Sequence, residues 1–326
     1  MRSLFRLTVL AAVSCGLMAP AAIAQSSDYP SRPIRVLVGF PPGGATDIIA
    51  RLIGHYLSER LGQPIVIENR SGSGSNIAGA EAARAKPDGY TLLHGPDHLF
   101  IANQYIYGDK MTFDPMVDFV PISSVVSNQL ILGVHPSVKA QNMKEFVELV
   151  RKSKPPMLYA SIGNGSMHHL AMEFLKQQLD LDMTHVPYRG GGPAGTALIA
   201  GEIQAAFGGG SLVGLIKAGK VRALGSTGNE RSPTLPDLPT IGEAFPGYEV
   251  LIWHGWFAPK GTPQPIIERL RKEIAAVLKE PDVREKLLNS GSGVPYATTP
   301  DAFAARIKSD NERFGKLIKQ LGIGAK

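Results

Sequence analysis

The chain of 326 residues has a single cysteine, Cys15, so no disulfide framework can staple it. Aromatic residues make up 7% and charged residues 19%, and nowhere do lysines and arginines form a stripe with aromatics between them. That pattern excludes a nucleic-acid surface. The net charge of +6 is dispersed among acids, as in Glu268-Arg269-Leu270-Arg271-Lys272-Glu273, which is the composition of solvated helix faces. No apolar run reaches the roughly 20 residues that a helix needs to span a bilayer.

Signatures of chemistry are also missing. The sequence has no G-x-x-x-x-G-K-[ST] loop, no H-E-x-x-H and no serine set as G-x-S-x-G. Gly72-Ser73-Gly74 continues as Ser75-Asn76-Ile77, without the third glycine of a dinucleotide fingerprint. His94 and His98 are four apart but have Pro96 between them, a poor frame for a metal. His254, between two tryptophans, reads as a packed residue. Neither a cofactor nor a metal is expected.

What is present is a 44% hydrophobic chain, enough for about two folded domains. It opens with the basic Met1-Arg2-Ser3-Leu4-Phe5-Arg6, an apolar stretch to Met18, and Ala22-Ile23-Ala24. Residues 1–24 therefore read as a signal peptide cleaved after about Ala24, which would remove Cys15 and leave a chain that works outside the cytoplasm.

Beyond it, strand-length apolar runs alternate with helical periods, an α/β pattern with largely parallel sheets. Ile34 to Val38 reads as a strand, and Asp47 to Leu61 as a helix with Ile48, Ile49, Leu52, Ile53, Tyr56 and Leu57 on one face. A further helix is expected through Ala85. Val120 to Val134 and Glu249 to Ala258 read as long strands that cross between two lobes and form a hinge. One lobe then comprises residues 29–126 and 249–326, the other 127–248. Thr262-Pro263 and Thr299-Pro300 read as starts of two C-terminal helices.

Glycine-rich loops punctuate this order: "FPPGGATD" at 40 to 47, "SIGNGS" at 161 to 166, "YRGGG" at 188 to 192 and "GGGS" at 208 to 211. Each joins a strand to a helix start. Helix N-termini present unpaired N–H groups and a positive dipole end, so several around a cleft suit a small carboxylate. Thr46, Ser161, Asn164 and Ser166 add hydroxyl or amide donors, Tyr188 a phenol, and Arg189 a cation. Asp47 would compete for the same dipole unless its side chain turns to cap the loop. Phe40, Phe100 and Tyr188 are candidates to flank an aromatic ring. The competing reading is a secreted hydrolase or isomerase with Ser166 as nucleophile and His169 as base. A weaker third is a module that binds a membrane sensor.

The segments "YPSRPIRVLVGFPPGGATDIIARLIGHYLSERLGQPIVIENRSGSGSNIAGAEAARAKPDGYTLL", "SIGNGSMHHLAMEFL", "HVPYRGGGPAGTALIAGEIQ", "VRALGSTGNERSPTLPDLPT" and "WHGWFAPKGTPQPIIERL" occur in order. From about Tyr29 to the C-terminus the chain resembles the Bug family of periplasmic solute-binding receptors of tripartite tricarboxylate transport systems. The resemblance implies a two-lobed periplasmic-binding-protein clamshell that performs no chemistry. It implies a small organic acid, a di- or tricarboxylate or an aromatic acid, held between the lobes and delivered to membrane permease subunits. By position it places Phe40, Gly43, Gly44, Ala45, Thr46 and Asp47 on one side of the ligand, and Ser161, Asn164, Ser166, His169, Tyr188 and Gly190 opposite. Gly39 and Ala45 depart from the residues most usual there, and "PDHLF" at 96 to 100 gives the third-strand loop a bulky lining.

Overall fold

The computed structural model describes residues 29–323 apart from Arg189, so the signal-peptide reading and the cation expected at Arg189 lie outside the described residues. Two sheets organise the chain. In the first, β1 (Ile34–Val38) runs parallel to both β2 (Ile65–Asn69) and β3 (Thr91–Pro96). β4 (Phe119–Gln129), β10 (Leu251–Pro259) and β11 (Val294–Pro295) complete it with antiparallel pairings, in the order β11-β4-β10-β3-β1-β2. The second sheet has the order β7-β6-β8-β5-β9. Its strands are β5 (Ile131–Val134), β6 (Met157–Ser161), β7 (Met183–Pro187), β8 (Ala205–Gly208) and β9 (Arg222–Ser226). β6 is parallel to β7 and β8, while β5 is antiparallel to both of its neighbours.

In the first sheet, α1 (Ala45–Leu61) follows β1, α2 (Asn76–Ala83) follows β2, and α3 (Asp97–Ile101) with α4 (Asn103–Tyr107) follows β3. α5 (Met143–Lys152), α6 (Met167–Leu179), α7 (Gly191–Ala200), α8 (Gly210–Lys217) and α9 (Ile241–Ala244) go with the second. The chain then returns and adds α10 (Gln264–Val277), α11 (Pro281–Asn289) and α12 (Pro300–Leu321). Among the described residues no helix is long and apolar enough to cross a membrane.

α1 buries Ile49, Ile53, Leu57 and Leu61 in one core with Ile266, Ile267 and Leu270 of α10, and it stops at Gly62, whose φ of 67° suits glycine. Ile48, expected on that face, is 40% exposed. Thr46 and Asp47 take the inward places of the first turn instead, because Asp47 is bonded beneath the loop that precedes it. Phe100 likewise leaves the candidate lining: it is buried and stacks on Phe257 at 4.1 Å.

Other expectations shift locally. α2 ends at Ala83 rather than Ala85. Thr262 does not cap a helix, since its hydroxyl donates to the Pro259 carbonyl at 2.8 Å and α10 starts two residues later. Thr299 does cap, accepting the Ala302 N–H at 3.2 Å. α11, not anticipated from the sequence, begins at Pro281.

The stretch from 120 to 134, read as one strand, is two, because the chain leaves the first sheet for the second at Leu130 and returns at Val250. Both crossing points are fastened to the fully buried Thr227. Its backbone N–H donates to the Leu130 carbonyl at 2.9 Å and its own carbonyl accepts the Val250 N–H at 2.8 Å. The Thr227 hydroxyl accepts the Leu130 N–H at 2.9 Å and donates to the Val250 carbonyl. One side chain thus ties both crossovers of a two-lobed clamshell, which is where a hinge must act.

Candidate functional site

Parallel strands all release their chains at the same edge, and ligands of α/β proteins lie outside those carboxyl ends. Here β1 and β3 feed α1 and α3, while β6, β7 and β8 feed α6, α7 and α8. The intervening loops are the glycine-rich segments singled out in the sequence.

On the first sheet, Gly43, Gly44 and Ala45 are exposed, and Gly44 is the N-cap of α1 without any side-chain cap. The first N–H groups of the helix have no intrahelical acceptors. Asp47 does not compete for them from outside. Its carboxylate faces inward, accepting from the Gly43 N–H at 2.9 Å, Arg51 Nε at 3.0 Å and Asn69 Nδ2 at 2.9 Å. Burial alone would raise the Asp47 carboxyl, but Arg51, Gly43 and Asn69 outweigh it and hold it below the ordinary carboxylate range. Asn69 also donates to the Phe40 carbonyl at 2.8 Å, and the Phe40 ring stands edge-on to His98 at 5.7 Å. Thr46 is buried in the first turn.

On the second sheet, the β6–α6 loop is held by its own polar side chains. Ser161 Oγ accepts the Gly163 N–H at 3.1 Å and shares a 2.7 Å bond with His185 Nε2. Ser166 Oγ donates to the Gly163 carbonyl at 2.7 Å and caps α6 by accepting the His169 N–H at 3.3 Å. His169 is buried, and its Nδ1 accepts the Gly165 N–H at 3.1 Å. The ring nitrogen that a Ser166 nucleophile would need is therefore engaged with Gly165. Asn164 is exposed at the tip of the loop, and Gly165 abuts Ile106 of α4 in the other lobe. The Tyr188 N–H donates to the Ser161 carbonyl at 3.0 Å, and Gly190, with φ 116°, is the uncapped start of α7.

Gly209 starts α8, again without a side-chain cap. Three of the five helices of eight or more residues that follow parallel strands, α1, α7 and α8, thus begin at a glycine with no side-chain cap, whereas α2 starts at Ser75 and Ser166 caps α6. Elsewhere Asn142, Thr240 and Thr299 cap α5, α9 and α12 with their side chains, while α10 and α11 start with a proline in the first turn and no side-chain cap. The starts of α6, α7 and α8 ring a cavity of about 200 Å³ whose body is apolar, with His168 and Thr196 as its polar side chains among the described residues. A larger cavity of about 780 Å³ opens beside the crossovers between α8 and α11, but of these helix starts only that of α8 reaches it.

The sequence offers His98 only as a poor metal candidate and within the bulky lining at 96 to 100, and His168 is not among the ligand-binding residues expected from it. His168 follows the α6 start and lies within electrostatic reach of Asp97 and His98, at the first turn of α3 across the cleft. Burial pushes His168 down to about 4, as it does His254, so both rings are neutral at neutral pH. His254 is packed against His94, their rings 5.3 Å apart. Among the described residues, no group of three or more His, Cys, Asp or Glu is arranged to hold a metal. The signal for His98 and His168 was their place in the first turn of a helix that follows a parallel strand.

The tripartite tricarboxylate transporter family receptor model matches residues 49–323. The UPF0065 protein in the tcbD-tcbE intergenic region of Pseudomonas sp. (strain P51) is 37% identical over 326 residues, covering 98% of this chain and 96% of its own. Among solved structures, R. palustris Rpa4515 with adipate aligns with a TM-score of 0.78 and 33% identity over 91% of this chain and 100% of that one. MatC from Rhodopseudomonas palustris with bound malate aligns with a TM-score of 0.73 and 32% identity over 89% of this chain and 100% of that one. Sequence and fold agree over nearly the whole described length, and the chain belongs to the tripartite tricarboxylate transporter receptor family of solute-binding proteins.

Proposed function

We propose that this receptor captures a small carboxylic acid, foremost a linear dicarboxylate, between a lobe of residues 29–126 with 249–326 and a lobe of residues 127–248. One carboxylate is received by the N–H groups of Gly44, Ala45 and Thr46 at the start of α1, while the Gly43 N–H stays bonded to Asp47. The remainder reaches Asn164, Tyr188 and Gly190, with the 200 Å³ cavity taking the carbon chain. Asp47, Ser161, Ser166 and His169 act from behind, as supports of those loops. The observation that carries the reading is the set of glycine-started helices at one edge, because each open helix start favours an anion by about 0.3–1 kcal/mol before any hydrogen bond is counted. Adipate and malate in related receptors support the same ligand class.

The acid is handed on unchanged. Ser166 and His169 support this, since Ser166 Oγ and His169 Nδ1 are both bonded to the loop backbone. The chain acts in the periplasm, after loss of residues 1–24, and passes its cargo to permease subunits in the membrane. Calorimetric titration with adipate, malate, citrate, benzoate and hexanoate tests the proposal. Saturable binding of at least one dicarboxylate is expected, with its NMR spectrum unaltered after prolonged incubation. Absence of saturable binding across the panel would overturn the capture of a carboxylate, and conversion of the acid would overturn the absence of chemistry.

A further inference from the structure

The β6–α6 loop departs from ordinary backbone at two points: Gly163 has φ 130° and Gly165 φ 73°. A Cβ at Gly165 would come within 1.8 Å of Ile106 Cδ1, so this turn is pressed against the opposite lobe. Such a turn needs an internal clamp. Ser161 and Ser166 hold Gly163 from two sides. Gly165 is held by a different kind of group, the ring of His169, whose Nδ1 accepts the Gly165 N–H at 3.1 Å.

An imidazole can accept at Nδ1 only when that nitrogen carries no proton, so the bond requires neutral His169 with its hydrogen on Nε2. The surroundings enforce this state. The ring is buried and lies flat on His185 of β7, with centroids 3.8 Å apart and planes 8° apart, and Tyr159 of β6 stacks on His185 at 5.0 Å. The charged groups nearby are Glu173 and Lys176 of α6 itself, and they are paired with each other at 2.7 Å. Tyr159 donates to the same Glu173 carboxylate. Burial, the His185 ring and the Lys176 charge push His169 down to about 3.

We infer that His169 is a positioning residue: its unprotonated Nδ1 holds the Gly163–Gly165 turn in the shape that lets Asn164 meet the cargo at the lobe interface. This deepens the proposed function and rests on it, because it assigns the role of a side chain that stands behind the cleft. The imidazole acts through the backbone of Gly165, and the acid never touches it. Asparagine places an oxygen where Nδ1 stands and retains the acceptor, whereas leucine keeps the bulk and removes it.

Three readouts on the full mature chain test this. Long-range ¹H–¹⁵N NMR should find His169 in the Nε2–H form from pH 5 to 8. Exchange of the Gly165 amide should be at least tenfold slower in the unmodified chain and in His169→Asn than in His169→Leu. Calorimetry with adipate and malate should then show His169→Leu binding at least tenfold more weakly than the unmodified chain, and His169→Asn within about threefold. A proton on Nδ1, or Gly165 exchange or affinity unchanged in His169→Leu, would overturn the inference. If neither acid binds the unmodified chain, the NMR and exchange results decide the clamp alone, and the failure belongs to the ligand proposal.

Discussion

Gly43 and Gly165 occupy matching places, each a little ahead of a helix start in a loop that leaves a parallel strand, and each with positive φ. At Gly43 a Cβ would meet nothing within 4 Å, whereas at Gly165 it would strike Ile106. The first loop has open space beside Gly43 and is fastened by a carboxylate, Asp47, to Gly43, Arg51 and Asn69. The second is wedged against the other lobe and fastened by serines and a neutral imidazole. Asp47 can be charged because the Arg51 guanidinium, the Gly43 N–H and the Asn69 amide all donate to it and outweigh its burial. No charge is needed in the second loop, where burial favours groups that bond without one.

The sharpest break of this comparison is alanine at each glycine. Gly165→Ala should abolish saturable binding in calorimetry by preventing the present contact between lobes, and Ile106→Ala on top of it should restore part of the affinity. Gly43→Ala should cost only the left-handed backbone strain, about 1–2 kcal/mol. Equal losses at the two sites would erase the distinction. Next in size is Asp47→Asn, expected to lower stability to urea by about 2 kcal/mol through loss of the charged hydrogen bonds beneath the first loop. Stability unchanged within 0.5 kcal/mol, on the order of a neutral surface change, would remove Asp47 from its fastening role.

Acid should separate the loops by pH. The His169 ring takes a proton only at about pH 3 when folded, whereas the unfolded chain takes it near 6.5. Stability is therefore undiminished above about pH 6.5 and falls as pH drops toward 3, by up to about 1.4 kcal/mol per pH unit for this group. His168 and His254, both near 4, add to the same slope. Asp47 has its folded value below the ordinary carboxylate range, so its contribution is present above that range and is lost only as pH falls through it. Urea unfolding at pH 7.0, 5.5 and 4.5 should show the slope, shallower in His169→Asn. A flat profile across that range would refute it. The smallest effect is at Thr46, where Thr46→Ala should weaken binding by about 1 kcal/mol if its hydroxyl meets the acid. Unchanged affinity would take Thr46 out of the binding set.

Much of this was legible in the residues. The alternation of strand and helix, the crossing strands and the glycine loops at helix starts all follow from local pattern, and the ordered motifs pointed to the receptor family. Errors came where a distant partner overrode a local preference. Ile48 sits outward because Asn69 and Gly43 draw Asp47 inward, and Thr262 fails to cap because the Pro259 carbonyl takes its hydroxyl. Phe100 looked like lining but fills the core against Phe257.

The histidine pair shows where each kind of information stops. Sequence alone determined that a helix starts just after the glycine-rich loop at 161 to 166, which puts His168 and His169 near its beginning, since the apolar period is a local property. Neighbouring side chains on a helix point roughly 100° apart, so one of the two must face the sheet and the other the cleft. Only the packing of α6 on β6 and β7 decided which: His169 stacks on His185 and fastens the loop, while His168 lines the cavity.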